Sequence, residues 1–111
     1  MPFKEKVTGY ERFLDIIAVP SQFQLFYFTH PDCGVCHVVK PNVEALLERH
    51  PQLEGYHVDL ADDPRIGGQT SVFMVPALLL FRDGRELFRE AKYIVIDVIE
   101  PQLERIIDNF T

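Results

Sequence analysis

Phe26-Tyr27-Phe28-Thr29-His30-Pro31-Asp32-Cys33-Gly34-Val35-Cys36-His37 joins a hydrophobic, aromatic run to two cysteines two residues apart. The run from Gln24 to Thr29 is short and nearly continuous in its hydrophobicity, as a strand covered on both faces should be. The cysteines follow at the start of a helical pattern. A CxxC after a strand is read as a dithiol redox site, whereas CxxCH is also a haem attachment sequence, and a Cys/His cluster has the ligand types of a zinc site. The flanking residues have to decide among them.

Downstream, from Gly34 to His50, Cys36, Val39, Val43, Leu46 and Leu47 fall on one helical face, with Lys40, Glu44, Glu48 and Arg49 elsewhere. Pro41 lacks the N–H that the preceding turn needs, which predicts a kinked helix ending at His50-Pro51. Tyr56 to Leu60 reads as a second strand, so the first two strands should be parallel across a right-handed crossover. Asp63 and Pro64 have the order of a helix cap and first position, although Gly67-Gly68 weakens the helix they would start. Ala77 to Phe81 is a buried strand, and Asp83-Gly84 signals a hairpin into Glu86-Leu87-Phe88-Arg89.

At the ends, Thr8-Gly9-Tyr10-Glu11 has capping-box spacing ahead of Tyr10, Phe13, Leu14 and Ile17, one face of a first helix closed near Pro20. Asp97 to Glu100 resembles a second capping arrangement, with Ile99, Leu103, Ile106, Ile107 and Phe110 as the stripe of a last helix. The expected order is helix, strand, CxxC helix, strand, weak helix, strand, hairpin, strand, helix. This is an α/β fold, a mixed four- to five-stranded sheet with helices on both faces, over residues 1–111 as a single domain.

Composition narrows the function. The chain has 111 residues, 47% hydrophobic and 25% charged, which is ordinary for a globular protein. Its formal charge of −6 opposes a polyanion partner, so nucleic acid is excluded. No stretch approaches the roughly 20 apolar residues of a membrane span, and the start, Met1-Pro2-Phe3-Lys4-Glu5-Lys6, has no apolar signal segment. A cytoplasmic location and no membrane partner are therefore expected. Both cysteines lie in one motif, unlike those of a disulfide-stapled secreted domain.

The strand Phe26-Tyr27-Phe28, the motif Cys33-Gly34-Val35-Cys36, Pro41, and Val75-Pro76-Ala77-Leu78-Leu79-Leu80-Phe81 with Asp83-Gly84 occur in an order that resembles the thioredoxin family over nearly the whole chain. The residues themselves support the chemistry. A cysteine in the first helical turn lies near unpaired N–H groups and the positive end of the helix dipole, which favour thiolate. Cys33 is therefore the expected nucleophile, and Cys36, on the apolar face, the resolving thiol. The resemblance implies a cis Val75-Pro76 bond against the cysteines, with Val75, Pro76, Gly34 and Val35 contacting substrate. It also implies protein disulfide substrates, and a reductase or a low-molecular-weight thiol to regenerate the dithiol.

Departures from that family concern activation. Asp32 stands where the family usually has tryptophan, and Val35 where it usually has proline; Tyr27 aligns with its buried acid and His57 with that acid's lysine partner. His57, His37 and His30 are consequently the candidates for proton transfer. The segment Lys92-Tyr93-Ile94-Val95-Ile96 lacks the family's glycine and is a few residues longer; a strand extension or a cover over part of the groove would each suit it. Phe73 and Met74 suit an apolar docking rim with Val35 and Val75, and core packing is an equal alternative for Phe73.

No haem or zinc is expected, and the Cys33-Cys36 pair itself is the redox group. Haem attachment needs an export context and usually a second axial ligand, and the candidate distal methionine, Met74, adjoins the groove. A zinc site from His30, Cys33, Cys36 and His37 is awkward, because consecutive helical residues point about 100° apart. A non-catalytic adaptor with incidental thiols stays open as an alternative.

Overall fold

Residues 2–110 are described by a computed structural model, and their order is β1 (Phe3–Val7), α1 (Tyr10–Ile17), β2 (Phe23–Thr29), α2 (Gly34–Arg49), β3 (Leu53–Asp59), α3 (Pro64–Thr70), β4 (Ala77–Arg82), β5 (Arg85–Ala91) and α4 (Ile96–Asp108). The strands form one mixed sheet in the order β1-β3-β2-β4-β5. β2 is parallel to β3 and antiparallel to β4, and β4 turns into β5 through the expected Asp83-Gly84 hairpin. Both hairpin residues have positive φ, which the turn type requires.

Every side chain of β2 is buried, because the strand is central and both of its faces are covered. Phe23, Leu25 and Tyr27 pack with Val39, Val43, Leu46 and Leu47 of α2 and with Ile99, Leu103 and Ile107 of α4. Phe26 and Phe28 point the opposite way, into a second core with Phe13 and Ile16 of α1 and Ile66 of α3. Strand alternation thus divides one hydrophobic run between two cores. The sheet lies between α2 with α4 and α1 with α3.

Several elements differ from the sequence expectation. β1, which the sequence reading did not assign, pairs parallel with β3 as an edge strand, and its exposed Lys4 and Lys6 alternate with the more buried Phe3, Glu5 and Val7, as suits that place. Thr8 does not cap α1: Gly9 is its N-cap, and the Tyr10 N–H is met by Asp63 Oδ2 at 2.8 Å. Asp63 also caps α3 as expected, accepting from the Arg65 N–H at 3.1 Å. Within α1, Phe13 and Ile16 are buried while Leu14 is exposed, so the inward face is turned from the predicted one. α4 is capped by Val95 rather than Asp97, runs through Pro101 and stops before Phe110, whose ring still meets Phe23 with centroids 5.2 Å apart.

Candidate active site

The first half of the site is built where β2 gives way to α2. Thr29 ends the strand, the Cys33 N–H donates to the His30 carbonyl at 3.0 Å, and Cys33, with φ −94° and ψ 98°, is the N-cap of α2. Its Sγ accepts from the Cys36 N–H at 3.1 Å. The two cysteines are joined in a disulfide, with Cα atoms 5.3 Å apart. Cys33 is half-buried and Cys36 only 2% exposed, so the two sulfurs have unequal access to a partner.

The second half comes from β4. Phe28 pairs with Ala77, so the cis Val75-Pro76 bond just before β4 lies at the same end of the sheet as Thr29 and the cysteine loop. Pro76 immediately precedes the strand, and its carbonyl accepts the Lys92 N–H at 2.7 Å. Ala77 pairs with Ala91, and this brings the end of β5 to the same place. Val35 and Phe73 are exposed around this end by 58% and 79%, and Met74 is also exposed. Phe73 belongs to a rim and not to a core. Gly34 is exposed too, with open space where a side chain would stand.

Behind the disulfide, the fully buried Tyr27 donates its hydroxyl to the Cys36 carbonyl at 2.6 Å. Burial pushes the phenol up to about 12, which keeps it neutral over the physiological range. Its neighbour in the parallel register is His57, whose Nε2 shares a hydrogen bond with Thr29 Oγ1 at 2.7 Å. Burial first, then the positive charges of Lys40 and Lys6, hold the imidazole below its usual pKa. Phe3 completes a ring cluster, its centroid 6.1 Å from Tyr27 and 5.8 Å from His57. His57, Phe3, Lys6, Lys40 and Glu44 line an open cleft of about 360 Å³.

The three candidate histidines therefore separate. His57 lies beneath α2 beside Tyr27, whereas His37 is exposed on the outer side of α2. His30, also exposed, accepts from the Asp32 N–H through Nδ1 at 3.3 Å and lies 3.8 Å from an Asp32 carboxylate oxygen. Sequence reasoning overlooked Thr29, which orients His57, and gave no role to Lys92, whose N–H is bound to the cis-proline carbonyl. A strand-end threonine two residues after the aligned tyrosine carried no distinctive signal; for Lys92 the missing glycine did.

A second group of ligand types lies away from this end. His50, Glu100 and Glu104 bring ligand atoms within 4.8 Å of one another. Both Glu100 oxygens are engaged by Arg49, at 2.9 and 3.0 Å, and one also by His50 Nε2 at 2.7 Å. That arrangement is a charge-assisted link between α2 and α4.

Residues 4–107 match the family model for thioredoxin. The chain is 38% identical over 104 residues to the thioredoxin-like protein YdfQ of Bacillus subtilis, covering 92% of this chain and 93% of that one. It is also 38% identical over 84 residues to a thioredoxin of Chlamydia trachomatis, covering 76% of this chain and 80% of that protein. Among solved structures, a thioredoxin from Trypanosoma brucei brucei superposes with a TM-score of 0.81 at 21% identity, covering 93% and 89% of the two chains. Thioredoxin O2 of Arabidopsis thaliana in the oxidised state gives 0.79 at 22%, covering 94% and 96%.

Proposed function

Because the chain belongs to the thioredoxin family and is a thiol–disulfide oxidoreductase, we propose that Cys33 is its attacking thiol and Cys36 its resolving thiol. The observation that carries the assignment is the asymmetry of the pair: Cys33 caps the helix, half-exposed, while Cys36 is buried one turn later. In the reduced protein, Cys33 thiolate attacks one sulfur of a substrate disulfide; a mixed disulfide forms and the other substrate sulfur leaves as thiolate. Cys36 then loses its proton and attacks the Cys33 sulfur. The internal disulfide forms, the second substrate thiolate departs, and two electrons have passed to the substrate, whose two thiolates take up the proton released by Cys36 and one from solvent.

Val75 and Pro76 orient the substrate strand in this reading, with Gly34 and Val35 as the opposite bank. Support comes from the shared end of the sheet and from the exposed apolar side chains around it. His57 is the preferred proton carrier for Cys36. It is held neutral near physiological pH, oriented by Thr29 and open to solvent through the cleft below α2. His37 and His30 lie on the solvent side and have no such support.

The substrates are protein disulfides, and the dithiol is regenerated by a reductase or a low-molecular-weight thiol in the cytoplasm, where thiols are kept reduced. The thiols carry the electrons themselves, without a haem, zinc or other cofactor. No described helix is long and apolar enough to cross a membrane. Insulin reduction with dithiothreitol should depend on Cys33, and Cys36→Ser should accumulate mixed disulfides through Cys33. An inactive wild type with no trapped species from Cys36→Ser would replace this reading with a non-catalytic adaptor.

A further inference from the structure

We propose that Lys92, displayed beside Pro76 by an unusual backbone conformation, is a specificity residue that selects disulfide substrates with a carboxylate side chain near the reacting cysteine. The inference rests on the groove proposed at Val75 and Pro76. Lys92 has φ 73°, in the left-handed region that residues with a Cβ seldom occupy. The other positive-φ residues other than glycine have local partners or roles: Ser21 donates its N–H to Asp83, Asp83 itself sits in the hairpin turn, and Ser71 is the C-cap of α3. At Lys92 this conformation centres a tight turn in which the Tyr93 N–H donates to the Ala91 carbonyl at 2.9 Å, and it accompanies the 2.7 Å hydrogen bond from the Lys92 N–H to the Pro76 carbonyl. A backbone outlier held against a functional element is a reason to look for a functional side chain.

The side chain is available. Lys92 is exposed and has no ion-pair partner among the described residues; its Nζ lies 5.3 Å from the centroid of Tyr93, itself 69% exposed. Arg89, the other cation near the end of β5, is already engaged by Glu86 and by the Ser71 and Thr70 carbonyls. The acid of the cysteine loop, Asp32, is on the other bank, against His30. The groove end thus offers one uncommitted ammonium, steadied on an aromatic face, at the place where a substrate strand would pass Pro76. The chain's charge of −6 repels acidic proteins at long range, but salt screens that field beyond about 8 Å at physiological ionic strength. Direct contact at Lys92 is what discriminates.

The test uses disulfide-linked peptides carrying Glu, Gln or Lys at each of the two positions on either side of the cysteine. Their reduction by the reduced protein is followed in single turnovers at low salt, and the Glu-to-Gln rate ratio is compared among variants. At one position or more the wild type should favour Glu over Gln by about two- to fivefold, as one exposed charge pair allows, and disfavour Lys. Lys92→Arg should keep the ratio, Lys92→Gln should bring it to one, Lys92→Glu should invert it, and 1 M salt should abolish it.

Lys92→Gly separates the charge from the backbone, since glycine is the residue best suited to this φ. It should fold and lose the ratio. A flat wild-type profile at all four positions would overturn the proposal, as would a ratio that survives in Lys92→Gln or Lys92→Gly. Failure of the wild type to reduce even the Gln peptides would instead overturn the groove and thiol assignments on which it rests.

Discussion

The Tyr27 hydroxyl donates to the Cys36 carbonyl across 2.6 Å, so the buried cysteine is anchored to the central strand by a neutral phenol. With a phenol in this place, the chain holds the first turn of α2 by a hydrogen bond that carries no charge. Removal of the hydroxyl by Tyr27→Phe should cost roughly 0.5–1.5 kcal/mol, the usual net worth of one such bond. Urea unfolding of the oxidised protein measures it, and an unchanged midpoint would show that the bond does not contribute.

Alkaline pH gives a second reading of the same residue. The folded pKa of about 12 lies above the value near 10 of an unfolded tyrosine. The stability linked to Tyr27 is therefore fully present below pH 10 and is lost as pH rises through 12. Between those values the wild type should lose stability faster than Tyr27→Phe, and parallel curves would contradict the assignment.

His57 makes the opposite prediction on the acid side. Its folded pKa is depressed, chiefly by burial, so its contribution is present above the unfolded value of about 6.5 and fades as pH falls below it. His57→Gln should flatten stability against pH in that window. The same variant should change the pH profile of the resolving step, read from decay of the mixed disulfide. His30→Gln and His37→Gln serve as comparisons, and equal profiles in all three variants would remove His57 from the proton path.

Asp63 ties two helix starts together, accepting from the Tyr10 N–H and from Arg65. Arg65 first, then the Tyr10 N–H, hold its carboxyl far below the usual range. Its stabilising effect is present above the unfolded pKa near 3.9 and is lost as pH falls. Asp63→Asn should lower Tm at neutral pH, and the gap from wild type should narrow below pH 4. A gap independent of pH would mean that the ionised form is not what holds the two helices.

Gly55 of β3 lies beneath α2, where an added Cβ would run into the Leu47 side chain and come within 3.1 Å of the Pro2 carbonyl. Gly55→Ala should destabilise by about 1–3 kcal/mol through overpacking. Leu47→Ala opens space at the same spot, so the double variant should cost less than the two single changes added together. Strict additivity in chemical denaturation would argue against a clash between these two side chains.

By itself the sequence determined the order from β2 onward, the CxxC at the start of a helix, the hairpin and the two-sided burial of the central strand. Those features are local: strand alternation, helical period, turn residues and caps act within a few positions of one another. It also determined which residue types were present for thiol chemistry. β1 was not legible, because an edge strand of alternating charge looks like a polar tail until β3 provides its partner. The start of α1 was misread for a related reason: a sequence-local cap at Thr8 lost to a carboxylate 53 residues away.

Tertiary structure alone decided which of three histidines lies beside Tyr27, that Thr29 orients it, and that Tyr27 reaches the Cys36 carbonyl. It also decided that Lys92, at the end of β5, stands beside Pro76. Such relationships join strands through register and helices through packing, and a buried donor settles on whichever acceptor the fold brings within reach. Chain order names the groups; only the assembled sheet places them within hydrogen-bonding distance of one another.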